Sequence, residues 1–482
     1  MSGRGAVRAG GAALVLVVAS LGAVRLASSG GAVTGLLVFT QVPVDAVPPG
    51  AVGDTAWLFP SGSRIVAVDP ASAEHEMIVL TNGFHSARSP AISPDGKRMV
   101  FSARRTADEP WHIWEMRLGS RRTRQITHGQ GSYTDPAYLG DGRVVFSGLV
   151  VEGEERNGFA LYVAGRERDG ITRITFHPGA DLAPQVLLDG RVLFTSVPDA
   201  VPGRAAKLMI VRYDGTGAHL FYENGSGAAP TGRAWETGDG RVVFVELTGE
   251  GVSGGKLVSV AKRRPLHSRV ALSGGVEGSF HSVHPLPSGT LVVSYRPPGG
   301  EKFAIYEYDP AERMVGELVA VDSVYHAVEP VIAAVRQRPK TFVSVVDQAK
   351  TTGEVYALDA NESSLPPLGG SRSPLARLVR VRVPDGVLGE VPLKEDGSFY
   401  LELPADTPLR METLDDRSRL VRGPSAWFWV RPNERRGCIG CHESRELAPE
   451  NRLPLAVTGP PVSLASPRTL TPVAGAGRKS AR

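Results

Sequence analysis

Between residues 89 and 321 the hydrophobic positions recur in one pattern: a short run, a tight-turn dipeptide, then a Val-rich run closing on Phe. It appears at Ser93-Pro94-Asp95-Gly96-Lys97 ahead of Met99-Val100-Phe101, and at Asp141-Gly142 ahead of Val144-Val145-Phe146. Asp189-Gly190 precedes Val192-Leu193-Phe194, Asp239-Gly240 precedes Val242-Val243-Phe244, and Ser288-Gly289 precedes Leu291-Val292-Val293. Phe101, Phe146, Phe194 and Phe244 stand 45, 48 and 50 residues apart. Asp-Gly suits a hairpin turn because both residues tolerate positive φ. Third strands are predicted at 112–118, 160–164, 207–213, 256–261 and 304–308, and a fourth closes the unit, as at 123–127 and 172–175. Four strands in each such period are the signature of a β-propeller blade. The inner strands are apolar at successive positions, as strands covered on both faces must be.

Five blades are complete in this stretch, and a sixth is split. Residues 36–40, 64–68 and 77–80 supply three strands, and 331–335, after Glu329-Pro330, supply the fourth. Closing the ring with strands from both chain ends leaves no free sheet edge. The prediction is an all-β chain with a six-bladed propeller over 36–346; seven blades is the alternative, should 341–346 open another unit. The Asp-Gly repeats resemble those of the TolB-type (PD40) propeller family, a likeness that bears on fold and says little about activity. Residues 347–376 read as a linker. A small β-sandwich-like domain follows over 377–447, with strands at 377–383, 388–393, 398–403 and 409–414 and a hairpin turn at Asp396-Gly397. The tail, 448–482, is rich in Pro, Ala and Arg and is expected to be disordered.

Composition narrows the class. Of 482 residues, 42% are hydrophobic and 22% charged, enough to bury a core, and collagen, coiled coil and polytopic membrane protein are excluded. The net charge of +4 comes from basic residues scattered among acidic ones, which does not point to nucleic acid. At the N-terminus Arg4 and Arg8 precede an apolar run over 12–24, followed by Arg25 and small residues. That order predicts a secretory signal, or an uncleaved anchor, over 1–29, and hence an exported, periplasmic chain whose membrane contact is limited to that anchor.

The two Cys of the chain both fall in Cys438-Ile439-Gly440-Cys441-His442, the C-x-x-C-H spacing of a c-type haem site. Two intervening residues let both thiols reach the vinyl groups of one porphyrin, and the adjacent His442 is then the proximal iron ligand. A thioredoxin-like pair needs a βαβ setting, a zinc site needs four ligands, and a reversible disulfide in an oxidising compartment stays open as a reading. One covalent haem c is expected. Just upstream, Trp427, Phe428 and Trp429 are candidates to pack on the porphyrin or to form domain core, and Arg431, Arg435 and Arg436 are candidates for its propionates. For the sixth iron position Met411 is a candidate. His85, His281 and His326 hold related places before the first strand of neighbouring blades, which predicts a cluster facing the haem domain, with His326 the distal or second-metal ligand. The competing reading is loop histidines satisfied by backbone groups.

The stretch from Leu388-Gly389-Glu390-Val391-Pro392, through Leu403-Pro404-Ala405-Asp406, to Trp429-Val430-Arg431-Pro432-Asn433-Glu434-Arg435-Arg436-Gly437-Cys438 and His442-Glu443 is similar to proteins related to the hydrazine synthase alpha subunit. That resemblance implies a six-bladed propeller joined to a compact haem c domain. Members of that family bear two haem c groups, and their active-site haem is ligated by a Tyr soon after its motif. Here there is one motif, Glu446 stands fourth after His442, and no Tyr follows Tyr400, which argues against hydrazine synthesis itself. The expected function is an exported monohaem cytochrome c that transfers electrons to a redox partner protein or serves within a larger periplasmic complex. The alternatives are a haem-dependent oxidoreductase subunit acting on a small nitrogen or oxygen compound, and a TolB-like binding platform with structural haem.

Overall fold

The computed structural model describes residues 35–46, 55–70, 76–151, 157–165, 170–197, 206–247, 255–363, 375–440 and 452–465. The N-terminal signal or anchor and residues 441–451, with Cys441 and His442, lie outside them.

Six four-stranded antiparallel sheets form the propeller, as expected. Blade 1 is the split one: Tyr325–Ala333 lies innermost and pairs with Leu36–Pro43, which pairs in turn with Arg64–Val68 and Ile78–Val79. Blades 2 to 6 begin with the axial strands Ser86–Ile92, Tyr133–Tyr138, Ala180–Val186, Ala229–Glu236 and Ser279–Pro285. The successive apolar residues have a direct explanation. Met99 and Phe101 pack toward blade 1, whereas Val100 between them packs toward blade 3. Val192 and Phe194 face blade 3, and Leu193 faces blade 5. Side chains alternate across a strand, so one apolar run serves two interblade cores. Phe101, Phe146, Phe194 and Phe244 are all fully buried.

The Asp-Gly turns form as expected. Gly96, Gly142, Gly190 and Gly240 have φ of 70°, 86°, 88° and 79°. Asp95, Asp141, Asp189 and Asp239 each accept the N–H two residues on. Residues 334–346 do not begin a seventh blade. They run as a strap beneath these turns: Arg336 N–H donates to Pro94 O (2.9 Å), Lys340 N–H to Leu188 O (3.0 Å) and Tyr213 Oη–H to Phe342 O (2.6 Å). A Cβ on Gly190 would lie 2.3 Å from Lys340 O, so the strap and the turn demand glycine together.

The strap delivers the chain to a β-sandwich, which starts earlier than expected. Thr352–Ala357, assigned to the linker by sequence, is a central strand, antiparallel to Phe399–Pro404 and parallel to Arg435–Cys438. The second sheet orders Gly386–Pro392, Leu378–Val383, Arg410–Leu414 and Leu420–Arg422. Val355, Leu401 and Leu403 of one sheet pack on Val379, Val381 and Met411 of the other. The expected disordered tail is corrected for 452–465: Leu455–Thr458 forms a 3₁₀ turn, and Val462–Ser463 pairs in parallel with Phe399–Pro404 and brings Leu464 into the core. Among the described residues no helix is long and apolar enough to cross a membrane.

Candidate functional site

The residues leading into the C-x-x-C-H motif are pinned to the propeller. Trp429 is buried in the core between blades 3 and 4, where its Nε1–H donates to Gly215 O (2.9 Å). Arg431 is 2% exposed and donates to Asp406 (2.8 Å) and to Arg173 O (3.3 Å). Glu434 accepts the Gly217 N–H (2.8 Å), and Arg436 donates to Ala218 O (2.7 Å). Burial lifts the Glu434 carboxyl above its ordinary range, against the pull of the Gly217 and Arg431 N–H groups. Three residues of one short segment, Trp429, Glu434 and Arg436, thus clamp residues 215–218 in blade 4, and Arg431 ties the same segment to the outer strand of blade 3. Arg435 leaves the clamp: it is exposed, lies over Tyr356 and Tyr400, and stands 3.6 Å from Glu354. Of the three arginines considered for propionates, only Arg436 reaches the cleft described next.

Strand Arg435–Cys438 then enters the sandwich sheet, and Leu358 N–H donates to Cys438 O (3.1 Å). Asp359 N–H donates to Ile439 O (3.1 Å). Gly440 is required by contact, because a Cβ there would lie 2.3 Å from Glu362 O. Cys438, half-buried, lines a cleft of about 260 Å3 between the sandwich and the outer strands of blade 4. Trp427, Phe428, Met209 and Met411 form its apolar walls, and Arg422, Arg436 and His219 its polar ones. His219 Nδ1–H donates to Gly217 O (2.8 Å). Two buried polar atoms on this cleft, Trp427 Nε1 and Arg422 Nε, have no partner among the described residues. Cationic groups, aromatic walls and orphaned donors beside the motif thiol form a donor set that fits an acidic, flat macrocycle.

Met411, the distal candidate, lines this cleft, whereas His85, His281 and His326 do not. His326 opens the axial strand of blade 1, across the ring from blade 4. Its Nδ1 accepts the Phe303 N–H (3.2 Å), and its ring lies 5.7 Å from Trp57. His281 lies 4.7 Å from the same indole, whereas His85 bonds Ser86 Oγ instead (2.8 Å). The three therefore make no cluster facing the motif. Among the described residues no group of three His, Cys, Asp or Glu could hold a metal ion. Trp57, from the short helix Thr55–Leu58, packs against both His281 and His326. His219 and Arg422 were missed from sequence. His219 opens the outer strand of blade 4 with no local motif, and only the approach of the distant segment before Cys438 gives it meaning.

Comparison with known proteins agrees with this architecture. Residues 341–443, the strap end, the sandwich and the motif, match the model of the family described as the hydrazine synthase alpha subunit middle domain. Hydrazine synthase subunit alpha of Kuenenia stuttgartiensis is 24% identical over 512 residues, covering 80% of this chain, which spans 63% of the relative's length. The solved hydrazine synthase of that organism superposes with a TM-score of 0.76 at 21% identity, covering 88% of this chain and 71% of its own. TolB from Acinetobacter baumannii aligns at 16% identity with a TM-score of 0.47, covering 63% of this chain and 68% of its own.

Proposed function

We propose, for a chain that is hydrazine synthase alpha-like in sequence and fold, that it is an exported haem c subunit of a larger redox enzyme acting on a small nitrogen compound. The observation that supports this reading is the position of Cys438 on a cleft lined by arginines and aromatics, inside the segment that resembles a hydrazine synthase domain. In this reading Cys438 and Cys441 would hold the porphyrin and His442 would bind its iron. When bound, the group supplies one-electron chemistry and an iron able to take a small ligand. Arg422 and Arg436 are the guanidinium groups available to its carboxylates. Trp427 and Phe428 exclude water from the apolar side. The hydrogen bonds of Trp429, Glu434 and Arg436 fix the whole segment against blade 4, so the cleft keeps one shape.

A second reading, an electron-transfer cytochrome, is favoured by one observation: Met411 and His219, both iron-ligand types, line the same cleft. Protein matured in a host with haem c assembly machinery separates these. A haemochrome spectrum with a mass increase of one haem, lost in Cys438→Ala, supports haem attachment, and colourless protein of unmodified mass sinks both readings. A high-spin ferrous form that binds carbon monoxide favours the enzyme. A low-spin form indifferent to it favours electron transfer.

A further inference from the structure

A second cavity, of about 290 Å3, lies in the propeller channel at the end away from the Asp-Gly turns, bounded by residues such as Val197 and Leu247 at the far ends of their strands. It does not share its lining with the cleft beside Cys438. Apolar side chains, among them Leu182, Val283 and Trp235, make up its walls. Its floor carries two guanidinium groups and two carboxylates. Arg88 pairs with Glu329 and stands 3.6 Å from Asp135. Arg233 reaches from blade 5 across the channel to the carbonyls of Pro90 (2.9 Å) and Pro136 (2.8 Å) in blades 2 and 3. Burial opposes the ionisation of Glu329, but Arg88, Arg233 and the Thr40 hydroxyl outweigh it and hold the carboxyl down to about 2. Burial keeps His281 neutral, pushed down to about 4. The floor's charges therefore sum to zero, and an ionic occupant would add an uncompensated buried charge.

Its hydrogen bonding is not closed. Trp57 is 7% exposed and His281 9%; both line the cavity, and Trp57 Nε1 and His281 Nδ1 have no partner among the described residues. A buried polar group left unpaired costs about 1–3 kcal/mol, and such groups at an apolar cavity mark a place for a ligand. The indole N–H can only donate, and Nδ1 of a neutral imidazole can accept. We infer that this cavity binds a small uncharged molecule carrying an adjacent acceptor and donor on an apolar body, of which a primary carboxamide is the simplest. Its carbonyl oxygen accepts from Trp57, its N–H donates to His281, and its body packs against the channel walls.

The test titrates the full chain at pH 7 with benzamide, benzoate and benzylammonium, read by calorimetry. Benzamide should bind at least ~10-fold more tightly than either ion, and Trp57→Phe, which keeps the ring and removes the N–H, should weaken it by about the same factor. Should Trp57→Phe not fold, His281→Leu is the second variant, with the same loss expected. Absence of benzamide binding at ~10 mM, equal binding of either ion, or unchanged affinity in a folded variant would overturn the assignment.

Discussion

Buried imidazoles held neutral make a fold acid-sensitive, and among the described residues His281, His284 and His326 are such groups. Burial pushes His281 and His326 down to about 4 and His284 to about 3; Glu329 offsets part of the shift at His281, and Arg88, Arg296, Arg233 and Arg336 add repulsion. Unfolded, each titrates near ~6.5. The unfolded chain thus binds more protons below that pH, and stability falls as pH drops from about 6.5 toward 4, while these groups add no slope above 6.5. Glu329, held at about 2, extends the loss from about 4.5 downward. Urea midpoints should therefore be level between pH 7 and 8 and drop steeply by pH 5. His284→Leu should reduce that drop, since one group contributes up to ~1.4 kcal/mol per pH unit; an unchanged slope in the variant would refute the buried neutral ring. Arg431 is the opposite case, a buried cation whose Nη1 donates to Asp406 and to the Arg173 carbonyl, while its Nε has no partner among the described residues. Arg431→Met leaves Asp406 unpaired and should cost roughly 2–4 kcal/mol in urea unfolding.

At the scale of elements, the Asp-Gly turns provide an internal control. Gly190 and Gly240 occupy the same turn with φ of 88° and 79°. A Cβ on Gly240 meets nothing within 4 Å, but one on Gly190 meets the strap at Lys340 O. Gly240→Ala should cost only the left-handed penalty, about 1–2 kcal/mol. Gly190→Ala should cost more and open the strap to proteolysis between residues 334 and 346; equal costs and equal cleavage would mean the strap does not bear on the turn. The same contrast separates what was legible in the sequence from what was not. Blade number and closure were legible because each blade repeats a local pattern, and Phe101 or Phe194 is buried by the same neighbour relation every time. The strand Thr352–Ala357 was not, because its partners Phe399–Pro404 and Arg435–Cys438 come much later in the chain and its own pattern is short. The C-x-x-C-H spacing is a sequence observation, and its Cys441 and His442 lie outside the described residues. The roles of Trp429, Arg431 and Glu434 were not legible, because a face buried against a distant blade has no local period. Histidines sharing one place in the repeat did share a region of the channel in two cases, but an indole inserted from the Thr55–Leu58 helix decides what they touch.

At the scale of the whole molecule, the propeller and sandwich are coupled through one plug and one strap. Trp429 is counted in the core of blades 3 and 4 although it belongs to the sandwich segment, and its indole N–H closes a propeller carbonyl at Gly215. Gly215 itself tolerates no Cβ, with Ile174 O at 2.5 Å and the Arg431 side chain at 2.8 Å. Removing the indole should cost about 3–5 kcal/mol of packing, and all of it falls on the junction rather than inside either core. The two lobes keep separate hydrophobic cores, so each retains its own reason to fold. Wild-type chain should therefore melt in one transition, and Trp429→Ala in two, with the sandwich separating first because it has two sheets and one core against six mutually buttressed blades. The cleft beside Cys438 has one wall on each lobe, so the same variant should disorder its environment without touching the motif. Calorimetry of both proteins, with protection of 435–440 followed by hydrogen exchange, measures the two effects together. A single transition in Trp429→Ala, with protection unchanged across 435–440, would show that the plug is packing alone and that the cleft owes its shape to the sandwich.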